Sequence, residues 1–200
     1  MKEDMREKKT EEKPGWKRTA VMYLHDLVCM LVTLMLVFLL LFRVIVVSGS
    51  SMYDTLIDGD YLLLLSNLFY TEPEYGDIIV VSKESFDNGT PIIKRVIATQ
   101  GQTVDIDFDE GIVYVDGEAL QEPYTHTPTN MREGMQFPLT VEENCVFAMG
   151  DNRNGSLDSR SPDIGQIDKR EILGKALFLF LPGVDEGHIG PDYERIGAIK

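Results

Sequence analysis

The longest apolar run in the chain extends from Leu27 to Phe42 with only Thr33 inside it, and Val44–Val47 continues it beyond Arg43. Those sixteen residues would rise roughly 24 Å as a helix, short of the ~30 Å hydrocarbon core of a bilayer. With its flanks the stretch Val21–Val47 reaches roughly 40 Å, so the pattern predicts one spanning helix over 21–47. His25, Asp26 and Arg43 then fall near the interfaces, where Arg43 can carry its charge out to water. A cleaved secretory leader is the competing reading, but its apolar stretch is usually ~7–15 residues. A retained anchor fits the length better.

After Leu56 the period shortens. Tyr61–Leu65, Ile78–Ser82, Ile92–Ala98, Thr103–Asp107, Ile112–Val115, Cys145–Met149 and Lys175–Phe180 are short and rich in β-branched or aliphatic residues. Asp58-Gly59-Asp60, Tyr75-Gly76-Asp77 and Asp116-Gly117 punctuate them as turns. Glu110-Gly111 and Asp116-Gly117 bracket Ile112–Val115, which predicts a meander. Only Lys169–Leu173 suggests a turn of helix. The prediction is a mainly β, antiparallel domain of closed or packed sheets over 48–182. A loop-rich insertion at about 118–143 carries Pro123, Pro128 and Pro138 and is expected to lie away from the chemistry. Residues 1–20 read as a charged tail and 183–200 as an irregular one.

Charge divides the 200 residues unevenly. From Val44 onwards there are 11 basic and 27 acidic side chains. A domain that acidic repels nucleic acid, whose binding depends on Lys and Arg neutralising phosphates. Lys13, Lys17 and Arg18 precede the apolar run and only Arg43 follows it closely, an asymmetry that places the N-terminus in the cytoplasm and the acidic domain outside. Cys29 and Cys145 are too far apart in context to suggest a structural disulfide. His25, His126 and His188 lack metal-ligand spacing and read as scattered surface or interface histidines. No metal or organic cofactor is implied.

Three stretches carry candidate chemistry. Ser48–Leu56, SGSSMYDTL, follows the apolar run, with small residues that permit a tight turn and Ser51 before the apolar Met52. A serine nucleophile needs a base, and none of the histidines sits in a strand-like motif. Lys94 is the alternative: it lies in Ile92–Ala98, an apolar strand interrupted by Lys94 and Arg95, whose side chains alternate onto opposite faces. Burial penalises the charged amine. Lowering it from ~10.4 to the ~7–8 useful for a base takes roughly 4 kcal/mol, within reach of one apolar site. The third stretch, MGDNRNGSLDSR at Met149–Arg160, concentrates Asp151, Arg153, Ser156, Asp158 and Arg160 in one turn-rich loop. Alone it reads as a charged surface turn; with the other two it suggests a site in which these charges pair with one another or with Arg95.

Together these segments resemble the bacterial type I signal peptidases, membrane-anchored Ser-Lys endopeptidases that remove signal peptides from exported preproteins. The resemblance runs from the anchor to about Pro182 and also rests on GDYLLLLS (Gly59–Ser66), YGDIIVV (Tyr75–Val81), IIKRVIATQG (Ile92–Gly101) and GIVYVDG (Gly111–Gly117). It implies Ser51 as nucleophile, Lys94 as general base and Ser156 as the serine that orients the lysine. Arg95, Asp151, Asp158 and Arg160 take structural ion-pairing positions. Met52 and the lysine strand become parts of shallow pockets for small side chains at −1 and −3 of the preprotein, and the bilayer a second partner. The chain departs from the family pattern at Asp54, where proline is usual, at Ala98-Thr99-Gln100 in place of Gly-Leu-Pro, and at Gly49, where some members carry a serine hydroxyl that completes the oxyanion hole. The hole then falls to Ser51 and Gly49, chiefly to the Ser51 N–H. A carboxylate close to Lys94 would hold it charged, so the Asp54 side chain is expected to point away. Two rivals are a self-cleaving Ser-Lys regulator, disfavoured by the span, and an inactive anchored peptide-binding β domain, which Asp54 and Gly49 would suggest.

Overall fold

In the computed structural model residues 15–185 and 189–199 are described; residues 1–14 and His188 lie outside them. The chain to Leu39 and the chain from Leu40 form two compact units. The described part of the first is most of helix α1, Trp16–Leu41, 26 residues with none buried. At 1.5 Å per residue it is ~39 Å long, and its mean hydropathy reaches 2.5. Helix is the form in which an apolar segment satisfies its own backbone in lipid, and this one is long and apolar enough to cross a membrane. Trp16–Arg18, read from sequence as tail, is its first turn, where the Arg18 N–H donates to Gly15 O.

The helix does not continue to Val47. Phe42–Val46 is strand β1, antiparallel to β2 (Tyr61–Ser66), with Phe42 opposite Leu65 and Val46 opposite Tyr61. Val44, Ile45 and Val46 are β-branched, stiff at χ1 in a helix and suited to a pleated surface, and β2 offers them a partner. Hydropathy is blind to that change of period.

The larger unit follows as β3 (Ile78–Val81), β4 (Ile92–Thr99), β5 (Thr103–Asp107), β6 (Ile112–Val115), β7 (Glu118–Ala119), β8 (Leu139–Thr140), β9 (Cys145–Met149), β10 (Ile167–Asp168), β11 (Ile172–Leu181) and β12 (Gly197–Ala198). One antiparallel sheet runs β1-β2-β11-β3-β4-β9-β10, with β12 on β11; the other runs β7-β6-β5-β8 and contains the expected meander. The second sheet packs Val104, Ile106, Val113 and Val115 against Ile97, Phe147 and Met149 of β4 and β9. β3 is buried on both faces, Ile78 and Val80 in one apolar cluster and Ile79 and Val81 in another, which is why it reads as a continuous apolar run. β4 is covered in the same way, so Lys94 and Arg95 are both buried although they face opposite ways.

Two expected loops are more ordered than their composition implied. The insertion begins and ends in strands β7 and β8 of the second sheet. The C-terminal stretch contributes a short 3-10 turn at Tyr193–Arg195 and β12, and Arg195 makes two bonds to the buried Asp60, of 2.8 and 2.6 Å. Lys169–Glu171 is the expected helical turn, closed by an Asp168/Glu171 capping box.

Candidate active site

The serine loop is fixed by its apolar residues. Met52 and Leu56, each 1% exposed, pack with Leu62, Leu64, Val80 and Ile93, and the Leu56 N–H donates to Met52 O at 2.8 Å. This turn leaves Ser51 at the head of a cleft between the end of β1 and the start of β4, lined by Ile45, Val47, Met52, Pro91 and Ile93. The strand that sequence assigned to the anchor is therefore one wall of the cleft.

Lys94 Nζ lies 2.9 Å from Ser51 Oγ. The amine is 3% exposed, and burial lowers its pKa to about 8, against the opposing pull of Asp158 and Glu133. A hydroxyl held against an amine so poised has the geometry for proton transfer from oxygen to nitrogen. The Ser51 N–H makes no hydrogen bond to another described residue.

MGDNRNGSLDSR is not a surface turn. Asp151, Arg153, Asp158 and Arg160 are at most 1% exposed. Asp151 takes a bidentate bond from Arg95, 2.8 and 2.7 Å, and a 2.6 Å bond from the Thr55 hydroxyl. Asp158 takes Arg160 bidentately and accepts the Gly150 N–H at 3.0 Å. The loop also holds the serine loop by its backbone: the Asn152 N–H donates to Ser51 O and its amide to Ser50 O, both at 3.1 Å. Gly150 is the closest approach, since a β-carbon there would lie 2.4 Å from Ser51 O and 2.2 Å from Ser156 Oγ.

The insertion does not lie away from this site. Glu122 binds Arg153 through both oxygens, at 2.7 and 2.6 Å, and Tyr124 stacks on the Arg95 guanidinium 4.0 Å from its ring centroid. Glu133 accepts the Asp158 N–H at 3.2 Å and stands 3.0 Å from Arg160. Buried guanidinium groups require carboxylate partners, and the GDNR loop's own two aspartates engage only Arg95 and Arg160 bidentately. The three arginines of Ile92–Ala98 and Met149–Arg160 were legible in sequence; Glu122, Tyr124 and Glu133 were not, because nothing in a proline-rich loop marks which carboxylates turn inwards.

Two further readings are amended. Ser156 is buried, yet its Oγ makes no hydrogen bond within the described residues; the expected orienting contact to Lys94 is not made, because the hydroxyl sits against the Gly150 backbone. Gly49, offered as part of the oxyanion hole, donates its N–H to Asp58 Oδ1 at 2.8 Å. Its φ of +88° is the left-handed region that favours glycine, so it shapes the turn with its N–H already engaged. Asp54 behaves as expected: its carboxylate meets His126 Nδ1 at 3.1 Å, and Tyr53 meets the same ring edge-on.

A serine hydroxyl paired with a buried lysine on an antiparallel β domain is a site of the serine hydrolase class, with an amine where histidine is usual. The family model described as signal peptidase, peptidase S26, matches residues 20–181, and the chain belongs to this family. It is 39% identical over 152 residues to the probable signal peptidase I-1 of Synechocystis, covering 72% of this chain and 74% of that one. It is 32% identical over 182 residues to signal peptidase I of Bacillus licheniformis, covering 86% and 95%. Signal peptidase I T of Bacillus subtilis is 32% identical over 187 residues, covering 88% and 94%.

Proposed function

We propose that the protein cleaves signal peptides from preproteins as a serine endopeptidase, with Ser51 as nucleophile and Lys94 as general base. The carrying observation is the 2.9 Å contact between Lys94 Nζ and Ser51 Oγ with the amine buried. The preprotein lies extended in the cleft beside β1 and β4, adding backbone hydrogen bonds to strand edges. Neutral Lys94 takes the Ser51 proton as Oγ attacks the scissile carbonyl, and the Ser51 N–H stabilises the oxyanion. Lys94 then protonates the leaving amine, and later activates the water that hydrolyses the acyl-enzyme. The apolar side chains of Ile45, Val47, Met52 and Ile93 line the cleft where small side chains at −1 and −3 are accepted in this reading.

In this reading α1 crosses the bilayer with its N-terminus cytoplasmic, Lys17 and Arg18 at that end, and the acidic domain is extracytoplasmic. The Asp54–His126 pair disfavours an inactive binding domain, because it keeps the one atypical carboxylate of the serine loop occupied away from the amine. The test is cleavage of a model preprotein by the full chain in detergent micelles. Ser51→Ala and Lys94→Ala each abolish cleavage; equal cleavage by all three proteins would sink the dyad.

A further inference from the structure

The loop that carries Ser51 is closed at its base by backbone pairs: the Val47 N–H donates to Asp60 O at 2.8 Å and the Gly59 N–H to Val47 O at 3.0 Å. The Asp60 side chain closes it from within. It is fully buried and accepts the Ile57 N–H at 2.9 Å and the Gly183 N–H at 2.8 Å. A carboxylate buried so completely needs a cation as well as N–H donors. Arg195 supplies it, through Nη1 at 2.8 Å and Nη2 at 2.6 Å. The same Nη2 also donates to the Thr55 carbonyl at 3.3 Å. Thr55 is thereby gripped on two sides, because its hydroxyl donates to Asp151 Oδ2 at 2.6 Å, and Asp151 holds Arg95, the neighbour of Lys94.

The segment that delivers Arg195 lies beyond residue 181, where the family match ends, yet it is built into the same part of the fold. Gly183 sits so close to the turn at 58–60 that a β-carbon there would fall 2.2 Å from Asp58 O. Directly after the 3-10 turn of Arg195, β12 pairs with β11, Ala198 opposite Phe178. Ile199 packs on the apolar cluster that contains Met52 and Leu56. Arg195 is therefore aimed by its own strand and not by the ion pair alone.

We propose that Arg195 is a positioning residue for the nucleophile: its guanidinium bridges the Asp60 carboxylate and the Thr55 carbonyl, and so fixes the turn that presents Ser51 to Lys94. The Thr55 carbonyl and the Leu56 N–H belong to one planar peptide unit. That N–H donates to Met52 O at 2.8 Å, so the peptide that Arg195 holds at one end holds the residue after Ser51 at the other. The arginine fork suits the task, since its several N–H groups meet two acceptors in fixed geometry where a lysine offers one charged point. Arg195 is not among the residues that line the cleft beside Ser51. It acts through the turn.

The inference rests on Ser51 and Lys94 performing the cleavage, so its test is read beside Ser51→Ala and Lys94→Ala. Arg195→Gln, assayed on a model preprotein at a temperature where its melt shows a folded protein, is expected to lower kcat about tenfold. KM should stay within about twofold of the wild type, because the turn is displaced and the cleft walls on β1 and β4 are not. Wild-type kcat in folded Arg195→Gln overturns the proposal, as does a loss confined to KM. If Arg195→Gln does not fold, Arg195→Lys decides. It keeps a cation beside Asp60 and gives up the fork, so it is expected to fold and to lose kcat about threefold with KM unchanged. Full kcat in Arg195→Lys means that the bridge to Thr55 is idle and overturns the proposal. A merely structural Arg195 would lower Tm and leave the kcat of the folded protein alone. Unmoved kcat in the Arg195 variants, with cleavage abolished in Ser51→Ala and Lys94→Ala, leaves the dyad standing; full cleavage by those two removes the dyad itself.

Discussion

Replacing Gly150 with alanine tests whether the GDNR loop positions the nucleophile through its backbone. The new methyl group would fall 2.4 Å from Ser51 O and 2.2 Å from Ser156 Oγ. Ordinary carbon contacts begin near 3.5 Å, so one side must retreat by about 1 Å. The Ser156 hydroxyl can rotate, because it makes no hydrogen bond, but its β-carbon, also 2.4 Å from the new methyl group, cannot. The Ser51 carbonyl is less free, since it accepts the Asn152 N–H at 3.1 Å while Met52 and Leu56 anchor the same turn in the core. Ser51 Oγ is therefore displaced from Lys94. A misplacement of about 1 Å costs on the order of 10²-fold in rate, and overpacking costs about 1–3 kcal/mol of stability. The assay is steady-state cleavage of a model preprotein alongside a thermal melt, expected to show a large fall in kcat with a folded protein. Gly150→Ala combined with Ser156→Ala should not restore the rate, because the contacts with the Ser51 carbonyl and the β-carbon of residue 156 remain. Wild-type kcat in Gly150→Ala would refute the reasoning, as would full rescue by Ser156→Ala.

Lys94→Met should stabilise the protein while removing activity. The amine sits at about 8 in the fold against 10.5 for a free lysine. Below pH 8 both states bind the proton and the fold carries the whole penalty; between these values the unfolded chain binds more protons, so stability rises with pH. The penalty is about 3 kcal/mol; a melt at pH 7 should show the gain, shrinking towards pH 10, and an unchanged Tm would contradict it. Asp151→Ala should cost about 3–5 kcal/mol in urea unfolding, because Arg95 is left buried without its carboxylate and Thr55 loses its acceptor; a loss under 1 kcal/mol would mean that Tyr124 and Gly76 O suffice for Arg95.

Much of the β domain was legible from residues alone. Thr103–Asp107, Ile112–Val115 and Cys145–Met149 have the same limits in sequence and structure, because a short apolar or alternating run close to turn residues such as Gly101, Gly111 and Gly150 has few alternatives. Short strands such as β7, β8 and β12 carry too few residues for any period and exist only through their partners. The contact between Ser51 and Lys94 was anticipated from local signs: a small-residue turn, and a cation inside an apolar strand. Ser156 had such a sign and lacks the contact, since a hydroxyl's partner is set by ångström-scale packing against Gly150.

By itself the sequence determined what depends on period and composition: an apolar helix long enough to cross a bilayer, an acidic antiparallel β domain, and a lysine that must lie in an apolar strand. The tertiary structure decided what depends on partners. It turned Phe42–Val46 from the end of a helix into a wall of the cleft, because β2 was there to pair with it. It also brought Glu122 and Glu133 from the insertion to arginines far along the chain, because a buried guanidinium must be met by a carboxylate wherever the fold can supply one.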